Sequence, residues 1–261
     1  MFSQQMKVMS YNLRVDFGGN GENNWEFRRD FLAGQLAFYN ADIIGTQEGK
    51  AHQLNFIAGQ LAHHRYIGAS RDGSKTQGEF CAIFYNSQKF RCLSESTFWL
   101  SETPEKKSKG WDAAYERICT YGLLEDVTSG NRFYVFNTHL DHIGEMARVN
   151  GVQLIVEKIK SVNAQNLPVI FTGDFNSLPD SPAYRAILDH LNDAKPLCRS
   201  TPFGPSGTFN GFKFHEPVTQ RIDYIFVSKD IAVLKHAVLS DSKDCRYPSD
   251  HLPVYAELIL K

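Results

Sequence analysis

The sequence contains six short polar clusters, each at the start or end of an apolar run, whose residue types suit metal-assisted hydrolysis. Their carboxylates and carboxamides offer oxygen ligands, which hard cations such as Mg²⁺ and Mn²⁺ prefer. A zinc site would call for a denser set of histidines and cysteines. The sequence therefore predicts a Mg²⁺ or Mn²⁺ site among these oxygen donors. The donors are Asn12, Glu48, Asp174, Asn176 and Asp250.

Two histidines and a further aspartate in the same clusters supply groups for proton transfer. His139 and His251 can exchange protons near neutral pH. Asp223 could orient one of these imidazoles and fix its tautomer, as carboxylate–histidine pairs do in other enzymes. The sequence has no glycine-rich phosphate loop, no Gly-x-Ser-x-Gly motif and no Gly-x-Gly-x-x-Gly motif. Water activated beside a metal ion is therefore the simplest mechanism.

Taken singly, each cluster has a simpler interpretation, because an aspartate or glutamate that ends a strand is usually a turn or cap residue. Six clusters together favour a shared site, since strand ends from several segments meet at one edge of an α/β sheet. The strands that we predict from the apolar runs are Val8–Leu13, Ile43–Gln47, Phe80–Tyr85, Phe133–His139, Val169–Gly173, Ile222–Ser228 and Leu252–Leu260.

Helical patterns lie between these strands. The first helix begins after Asn23, with Glu26 three residues further on as in a capping box. Two more are predicted over Ala51–His63 and Met146–Val162, and a short one begins at Ser181–Pro182, an N-cap followed by a proline. Strands and helices in one unbroken chain predict a single domain, residues 1–261, in which two sheets pack face to face with helices outside.

The composition bounds the class of protein. The chain has 261 residues, of which 42% are hydrophobic and 22% charged, with a net charge of −1. This charge excludes the basic footprint of a protein that coats nucleic acid, and it favours a short or single-stranded nucleic acid or a small phosphorylated metabolite over long duplex. No Cys-x-x-Cys pair, signal peptide or membrane-spanning run is evident. We expect a monomeric, cytoplasmic protein without a membrane anchor.

Taken in order, the clusters resemble the motifs of the endonuclease/exonuclease/phosphatase superfamily, from Tyr11 to about Val254. The most specific strings are Thr-Gly-Asp-Phe-Asn at 172–176, Arg-Ile-Asp-Tyr-Ile-Phe at 221–226 and Ser-Asp-His at 249–251. The superfamily includes DNase I, abasic-site endonucleases, inositol-polyphosphate 5-phosphatases, neutral sphingomyelinases and Ccr4-type RNA deadenylases. The resemblance implies a DNase I-like, four-layer α/β sandwich, in which two packed mixed β-sheets are flanked by helices.

Two branches of the superfamily share further strings with this chain. Residues 174–181 and 222–226 are most similar to the Ccr4-like branch. Residues 21–25, 98–104 and 109–113 are similar to a bacterial group for which the resemblance supplies no substrate. The leucine-rich repeats attached to some Ccr4 deadenylases are absent from the sequence, so the resemblance does not extend to their recruitment of partners.

The resemblance also implies how the oxygen donors are used. Glu48 would be the principal metal ligand, with Asn12 and Asp250 completing or supporting that site. Asp174 would orient or deprotonate the attacking water, and Asn176 would hold the phosphate or a second metal.

The resemblance assigns the histidines to the phosphate. His251, paired with Asp223, would bind the scissile phosphate or transfer a proton. His139 would contact the phosphate, and the tyrosine that abasic-site endonucleases have at this position argues against that branch. Glu79 resembles the DNase I glutamate that supports this histidine.

Several residues in loops near the clusters are candidates for substrate binding. Arginines can grip phosphate with two hydrogen bonds, and aromatic rings can stack on a base or a sugar. The predicted substrate-binding residues are Trp25, Arg71, Trp111, Arg117 and Phe209. Packing in the core is the alternative for Trp25 and Phe209, and a simple surface charge is the alternative for Arg117.

These observations lead to one main hypothesis and two alternatives. The main hypothesis is a metal-dependent phosphodiesterase or nuclease, such as a 3'-5' RNA exonuclease, in which activated water attacks phosphorus. The first alternative is a phosphatase or phosphodiesterase of a small phosphorylated metabolite, sugar or lipid headgroup. The second is a non-catalytic binding module, against which the presence of Glu48, Asp174 and His251 argues.

Overall fold

Two six-stranded β-sheets form the centre of the computed structural model, which describes residues 4–260. The strands are β1 (Gln4–Asn12), β2 (Ile43–Gln47), β3 (Gly49–Lys50), β4 (His64–Ile67), β5 (Glu79–Phe80), β6 (Ile83–Asn86), β7 (Phe90–Trp99), β8 (Ile118–Asp126), β9 (Arg132–His139), β10 (Val169–Asp174), β11 (Asn192–Asp193), β12 (Asp223–Val227), β13 (Ile231–Val238) and β14 (Val254–Leu260). The first sheet has the order β13–β14–β1–β2–β6–β4 and the second β11–β12–β10–β9–β8–β7, while β3 pairs with β5 as a short ribbon. Both large sheets are mixed. The parallel pair is β1 with β2 in the first sheet and β9 with β10 in the second.

The two sheets pack face to face over a shared apolar core. Val8, Ile43 and Val254 of the first sheet lie in one buried cluster with Val135 and Ile225 of the second. Burying such side chains contributes about 25 cal/mol to the free energy of unfolding for each Å² of apolar surface removed from water. This interface is therefore a main source of stability. The inner face of each sheet is thereby fixed, and the outer faces are left for the helices.

Helices cover the outer face of each sheet. They are α1 (Trp25–Tyr39), α2 (Ala51–Gln60), α3 (Glu145–Val162) and α4 (Pro182–Leu188), with a 3-10 turn over Gly21–Asn23. The short helix α5 (Ala194–Leu197) instead contacts β12 and β13, one strand of each sheet. Leu36 of α1 packs in one cluster with Ile44 of the first sheet, and Ile155 of α3 packs in another with Phe171 of the second. The order of helices, sheet, sheet and helices confirms the four-layer α/β sandwich. Within residues 4–260, no helix is both long and apolar enough to cross a bilayer.

A buried polar bridge joins the two sheets. Gln47 Nε2 of β2 donates to Asn137 Oδ1 of β9 at 2.7 Å, and Asn137 Nδ2 donates to the Thr46 carbonyl oxygen at 2.8 Å. Gly45 permits the close approach, because a Cβ atom there would overlap the Thr172 hydroxyl. An unpaired buried polar group costs about 1–3 kcal/mol, so these reciprocal bonds favour one alignment of the sheets.

The predicted strands are present: Ile43–Gln47 has the predicted bounds, one strand is split, and the others have shifted boundaries. The stretch Phe80–Tyr85 belongs to two strands, because β5 pairs with the ribbon strand β3 whereas β6 pairs with β2. Four longer strands, β4, β7, β8 and β13, have no counterpart among the predictions. Most residues of β7 between its ends are exposed, so its sequence shows no apolar run.

The helix starts test the capping predictions. Ser181 precedes α4 and its side chain accepts a hydrogen bond from the Tyr184 amide, as its sequence predicts. The capping box predicted at Asn23 is wrong, because residues 21–23 form a 3-10 turn and α1 begins at Trp25. Asn24 directly precedes this helix, and its side chain makes no capping hydrogen bond.

Arg221 forms a buried ion pair at the edge of the second sheet. Its Nη1 and Nη2 atoms donate to Asp193 Oδ2 and Oδ1 at 2.7 and 2.6 Å, and Tyr184 Oη donates to Asp193 Oδ2 at 2.8 Å. Removing one partner of a buried pair leaves the other charge uncompensated. We therefore expect Arg221→Met to lower the free energy of unfolding by about 3–5 kcal/mol, measured by urea denaturation.

A double variant provides the control for this prediction. Arg221→Met combined with Asp193→Asn buries no unpaired charge, so it should be more stable than Arg221→Met alone. A single variant as stable as the wild type would show that the pair does not stabilise the fold.

Candidate active site

The polar clusters meet at one end of the sandwich because of the directions in which the strands run. In each sheet the central parallel pair ends at the same edge, and the antiparallel neighbours β12 and β14 begin there. Active sites of α/β proteins form at such edges. The predicted residues gathered there are Asn12, Glu48, His139, Asp174, Asn176, Asp223, Asp250 and His251.

Asn12 connects the two sheets at the base of the site. Its Nδ2 atom donates to Glu48 Oε1 at 3.0 Å and to Asp174 Oδ2 at 2.9 Å. Its Oδ1 atom accepts from the Arg14 amide at 3.0 Å, and Ser249 Oγ donates to its carbonyl oxygen at 2.7 Å. The fully buried carboxamide therefore holds two carboxylates from different sheets in fixed positions.

Glu48 is a charged carboxylate in a constrained backbone. Its φ is +64°, a value uncommon outside glycine and often found at functional sites. Its Oε2 atom accepts from the Val15 amide at 2.8 Å. Burial opposes ionisation, but the hydrogen bonds from Asn12 and Val15 outweigh it and hold the pKa of Glu48 below its ordinary value. Glu48 is thus ionised at neutral pH and suits a cation.

Asp250 and Glu48 both lie close to the Arg14 guanidinium group. Arg14 Nη1 is 3.5 Å from Asp250 Oδ2 and 4.0 Å from Glu48 Oε2. Burial raises the pKa of Asp250, and the neighbouring Glu48 carboxylate raises it further. A divalent cation beside these two carboxylates would relieve the repulsion between them.

Asp174, His251 and Asp223 form a buried carboxylate–imidazole–carboxylate group. His251 Nδ1 lies 2.8 Å from Asp223 Oδ2, and His251 Nε2 lies 3.8 Å from Asp174 Oδ2. Burial opposes protonation of His251, but the carboxylates of Asp223 and Asp174 outweigh it and raise its pKa well above the ordinary value. Burial and the Asp223 carboxylate raise the pKa of Asp174 to about 7. This group can therefore exchange a proton near neutral pH.

His139 has the opposite electrostatic character. Its Nε2 atom is 3.1 Å from Asn176 Nδ2 and 3.5 Å from Asp174 Oδ2. Burial, followed by the positive charge of Arg117, holds the pKa of His139 well below its ordinary value. His139 is therefore neutral where His251 favours the protonated form. Two histidines whose pKa values are shifted in opposite directions are suited to different tasks in catalysis.

The donor chemistry of the site fits a hard divalent cation at Glu48 and Asp250. A second group is also close enough to share an ion, since Asp174, Asp223 and His251 each place one ligand atom within 4.8 Å of the others. We favour Glu48 and Asp250, because the Nδ1 atom of His251 is engaged by Asp223 and its raised pKa keeps the ring protonated. A metal-bound imidazole must be deprotonated.

A cleft of about 830 Å³ opens above these residues. Arg71, Arg117 and Phe209, three of the five residues predicted to bind substrate, line it. The Phe209 ring lies edge-on to His251, with ring centroids 5.1 Å apart. The cleft thus combines guanidinium groups and an aromatic surface next to the candidate catalytic group.

The structure corrects three of the predicted assignments. Trp25 is 5% exposed and packs in the apolar cluster under α1, so it belongs to the core and not to the substrate site. Trp111 lies in a loop with a φ of +48° and is not among the described residues that line the cleft. Glu79 lines the cleft, but its Oε1 atom accepts from Arg71 Nη2 at 2.6 Å, so it orients an arginine instead of His139.

The cleft-lining residues that sequence reasoning missed include Arg14, Tyr115 and His142. Arg14 follows Asn12 by two residues and His142 ends one of the polar clusters, so proximity to a strand end was a usable signal for both. Tyr115 lies in an irregular segment before β8, and no periodic pattern predicts where such a segment runs.

The fold and site together define a class of protein. A four-layer sandwich that gathers carboxylates, carboxamides and histidines at its strand ends is typical of DNase I-like hydrolases of phosphate esters. A sequence model of the Endonuclease/Exonuclease/phosphatase family matches residues 9–251, and the chain belongs to this family.

Two solved structures from Bacteroides thetaiotaomicron are similar over almost the whole chain. An endonuclease/exonuclease/phosphatase family protein is 38% identical with a TM-score of 0.96, and the match covers 100% of both chains. A mannosyl-6-phosphatase of strain VPI-5482 is 40% identical with a TM-score of 0.92, and the match covers 97% of this chain and 99% of that one.

The curated relatives are more distant. The 3'-5'-exoribonuclease subunit Ccr4 of the CCR4-Not complex from Aspergillus oryzae is 21% identical, and the match covers 99% of this chain and 48% of the relative. The chain spans about half the length of the curated relatives it matches. The human Nocturnin catalytic domain, at 21% identity and a TM-score of 0.77, has the same fold.

Proposed function

We propose that this protein is a divalent-metal-dependent phosphatase of a small phosphorylated metabolite, with a sugar phosphate as the leading substrate. The observation that carries this proposal is the cleft of about 830 Å³, which three arginines line together with Asp174 and His251 of the candidate catalytic group. A pocket of this volume suits a small molecule. The 40% identity with a mannosyl-6-phosphatase over 97% of the chain supports the same class. The proposal reverses the order of the two hypotheses drawn from the sequence, which placed a nuclease first.

The charges that line the cleft favour a phosphate monoester. Arg14 contacts the Glu48 and Asp250 carboxylates, and Arg71 and Arg117, which line the same cleft, contact Glu79 and Asp141. Guanidinium groups bind phosphate oxygens bidentately. A monoester carries up to two negative charges where a diester carries one, so a cluster of three arginines with a divalent cation complements the monoester better.

The residues of the chain divide the chemical steps among them. Glu48 and Asp250 would hold a divalent cation, which neutralises the charge that develops on the phosphate oxygens in the transition state. Asp174 would orient the attacking water and accept its proton. His251, held by Asp223, would donate a hydrogen bond to the phosphate and a proton to the leaving oxygen.

His139 and Asn176 would contact the phosphate from the other side of Asp174. The Asn176 amide donates to Asp174 Oδ1 at 2.9 Å, and its φ of +45° turns the chain so that the side chain reaches His139. Asparagine tolerates this backbone region better than most residues. Its carboxamide is therefore fixed next to the position where the attacking water would lie.

A nuclease remains the second candidate, and two observations favour it. The curated relatives include Ccr4 exoribonucleases. Phe17 and Phe209, which are 63% and 36% exposed, line the cleft and offer faces on which bases could stack.

A panel of substrates tests the proposal. Phosphate release from mannose 6-phosphate and glucose 6-phosphate, and cleavage of single-stranded RNA, would be measured with Mg²⁺ or Mn²⁺ and with EDTA. We expect the sugar phosphates to be hydrolysed faster than RNA, EDTA to abolish activity, and added salt to change the rate little, because a small substrate makes few phosphate contacts. Faster RNA cleavage that falls steeply with salt would instead establish a nuclease.

A further inference from the structure

Tyr115 and His142 form a wall of the cleft that the proposed chemistry does not use. Their rings lie parallel, with an interplanar angle of 12° and centroids 5.8 Å apart. Both residues line the cleft and both are exposed, Tyr115 by 51%. An exposed, ordered aromatic pair inside a substrate cleft is a surface for recognition, since aromatic rings present a large contact area and polar edges.

The hydrogen bonds of His142 determine what it offers to a ligand. Arg117 Nη2 lies 3.0 Å from His142 Nδ1. A guanidinium group has donors and no acceptor, so Nδ1 must be the accepting, unprotonated nitrogen. The ring proton is then on Nε2, which can donate to a ligand, while the phenol group of Tyr115 can both donate and accept.

Asp141 holds this wall in place. The buried carboxylate accepts from the amides of Ala114, Ile143 and Gly144 at 3.1, 3.0 and 2.8 Å, and from Arg117 Nε at 3.2 Å. Burial opposes its ionisation, but these backbone hydrogen bonds and the charge of Arg117 outweigh it and lower the pKa of Asp141 to about 2. One carboxylate thus fixes both segments that carry the wall, which preorganises it for binding.

The contacts that Arg71 and His142 make with the Tyr115 ring indicate which kind of ligand the ring can bind. Arg71 lies over its ring at 5.2 Å from the centroid, and Glu79 fixes Arg71 through the 2.6 Å bond to its Nη2 atom. Because Arg71 and His142 both contact the ring, less of its face is left for a base to stack on. The phenol hydroxyl and the Nε2 proton of His142 are better suited to the hydroxyl groups of a neutral ring.

We propose that Tyr115 and His142 form the subsite for the alcohol part of the substrate, and that this part is a pyranose-sized, polyhydroxylated ring. The inference rests on the proposed function and extends it from the phosphate to the leaving group. Arg14 and the metal site would bind the phosphate, and the Tyr115–His142 wall, which Arg71 and Arg117 contact, would bind the hydroxyl groups of the leaving alcohol.

Discrimination between two phosphate monoesters tests the subsite. The ratio of kcat/KM for mannose 6-phosphate to kcat/KM for glycerol 3-phosphate would be measured for the wild type, Tyr115→Ala, Tyr115→Phe and His142→Ala. We expect the ratio to fall about tenfold in each alanine variant and about threefold in Tyr115→Phe, the effect of one lost hydrogen bond. Ile143→Ala is the matched control, since Ile143 is 67% exposed on the same turn and is not among the described residues that line the cleft. An unchanged ratio in Tyr115→Ala and His142→Ala would overturn the subsite.

Equilibrium binding separates failure of the subsite from failure of the proposed function. The dissociation constants of mannose 6-phosphate and adenosine monophosphate would be measured by calorimetry for the same proteins. If no phosphate is released but Tyr115→Ala weakens mannose 6-phosphate binding about tenfold, the phosphatase proposal fails and the subsite stands. If adenosine monophosphate binds more tightly and depends on Tyr115, the wall recognises a nucleobase and the sugar subsite is wrong.

Discussion

Asp174→Asn is expected to lower kcat for phosphate release by about 10²–10⁴-fold, the usual contribution of one positioned acid–base group. Asp174 Oδ2 accepts from Asn12 at 2.9 Å and lies 3.5 Å from His139 Nε2 and 3.8 Å from His251 Nε2. An asparagine preserves the size of the side chain and one acceptor oxygen, but it cannot take a proton from water. The measurement is steady-state phosphate release at saturating substrate and neutral pH.

Unfolding measurements separate this chemical effect from a structural one. In the folded protein, burial and the Asp223 carboxylate raise the pKa of Asp174 to about 7, above its value in the unfolded chain. A carboxyl group with a raised folded pKa costs stability as the pH rises from about 4 to about 7, and that cost persists at higher pH. Asparagine has no charge to bury, so Asp174→Asn without metal should be at least as stable as the wild type at pH 8. A wild-type kcat would exclude Asp174 from proton transfer.

Glu48→Gln is expected to weaken Mn²⁺ binding and to lower kcat/KM by about 10³-fold, because a metal ion contributes several kcal/mol of transition-state stabilisation. Glutamine preserves the shape of the side chain and an acceptor for the Val15 amide, but it removes the negative charge. Mn²⁺ binding would be followed by electron paramagnetic resonance. Glu22→Gln is the matched control, since Glu22 is exposed and its contact is a surface ion pair with Arg246 at 3.0 Å.

The same titration decides between the two carboxylate groups of the site. Asp223→Asn should leave the Mn²⁺ affinity close to that of the wild type, because Asp223 binds His251 in our assignment. If Asp223→Asn loses the ion and Glu48→Gln retains it, the metal lies among Asp174, Asp223 and His251. Our assignment to Glu48 and Asp250 would then be wrong.

The strand-end clusters were predictable from sequence for a physical reason. Buried strands appear as short apolar runs, and parallel neighbours end at the same edge of a sheet, so Asn12 could be placed near Glu48, and His139 near Asp174, without knowing the full topology. Strands that are exposed in the middle, such as β7, produce no such run and were not predicted. The two packed sheets with helices outside followed from the pattern of strands and helices and from the resemblance, whereas the sheet order required the structure.

The substrate-binding residues were harder to predict, because their positions depend on contacts between distant segments. A tryptophan at the start of a helix, such as Trp25, has the same local sequence whether it faces the core or a cleft. Tyr115 lines the cleft because Asp141, from a segment 27 residues away, accepts from the Ala114 amide. Local propensity contains no information on such a contact.

The pairing of β1 with β14 also has a consequence for synthesis on the ribosome. Translation proceeds at about 5–20 residues per second, so the ~240 residues between Ser10 and its partner Val254 take roughly 12–50 s to emerge. Until then, β1 presents unpaired amide and carbonyl groups along one edge, a template for aggregation. The bond from Ser249 to the Asn12 carbonyl also forms late. The exposed edge of β1 in the nascent chain is therefore prone to aggregation until β14 has left the ribosome.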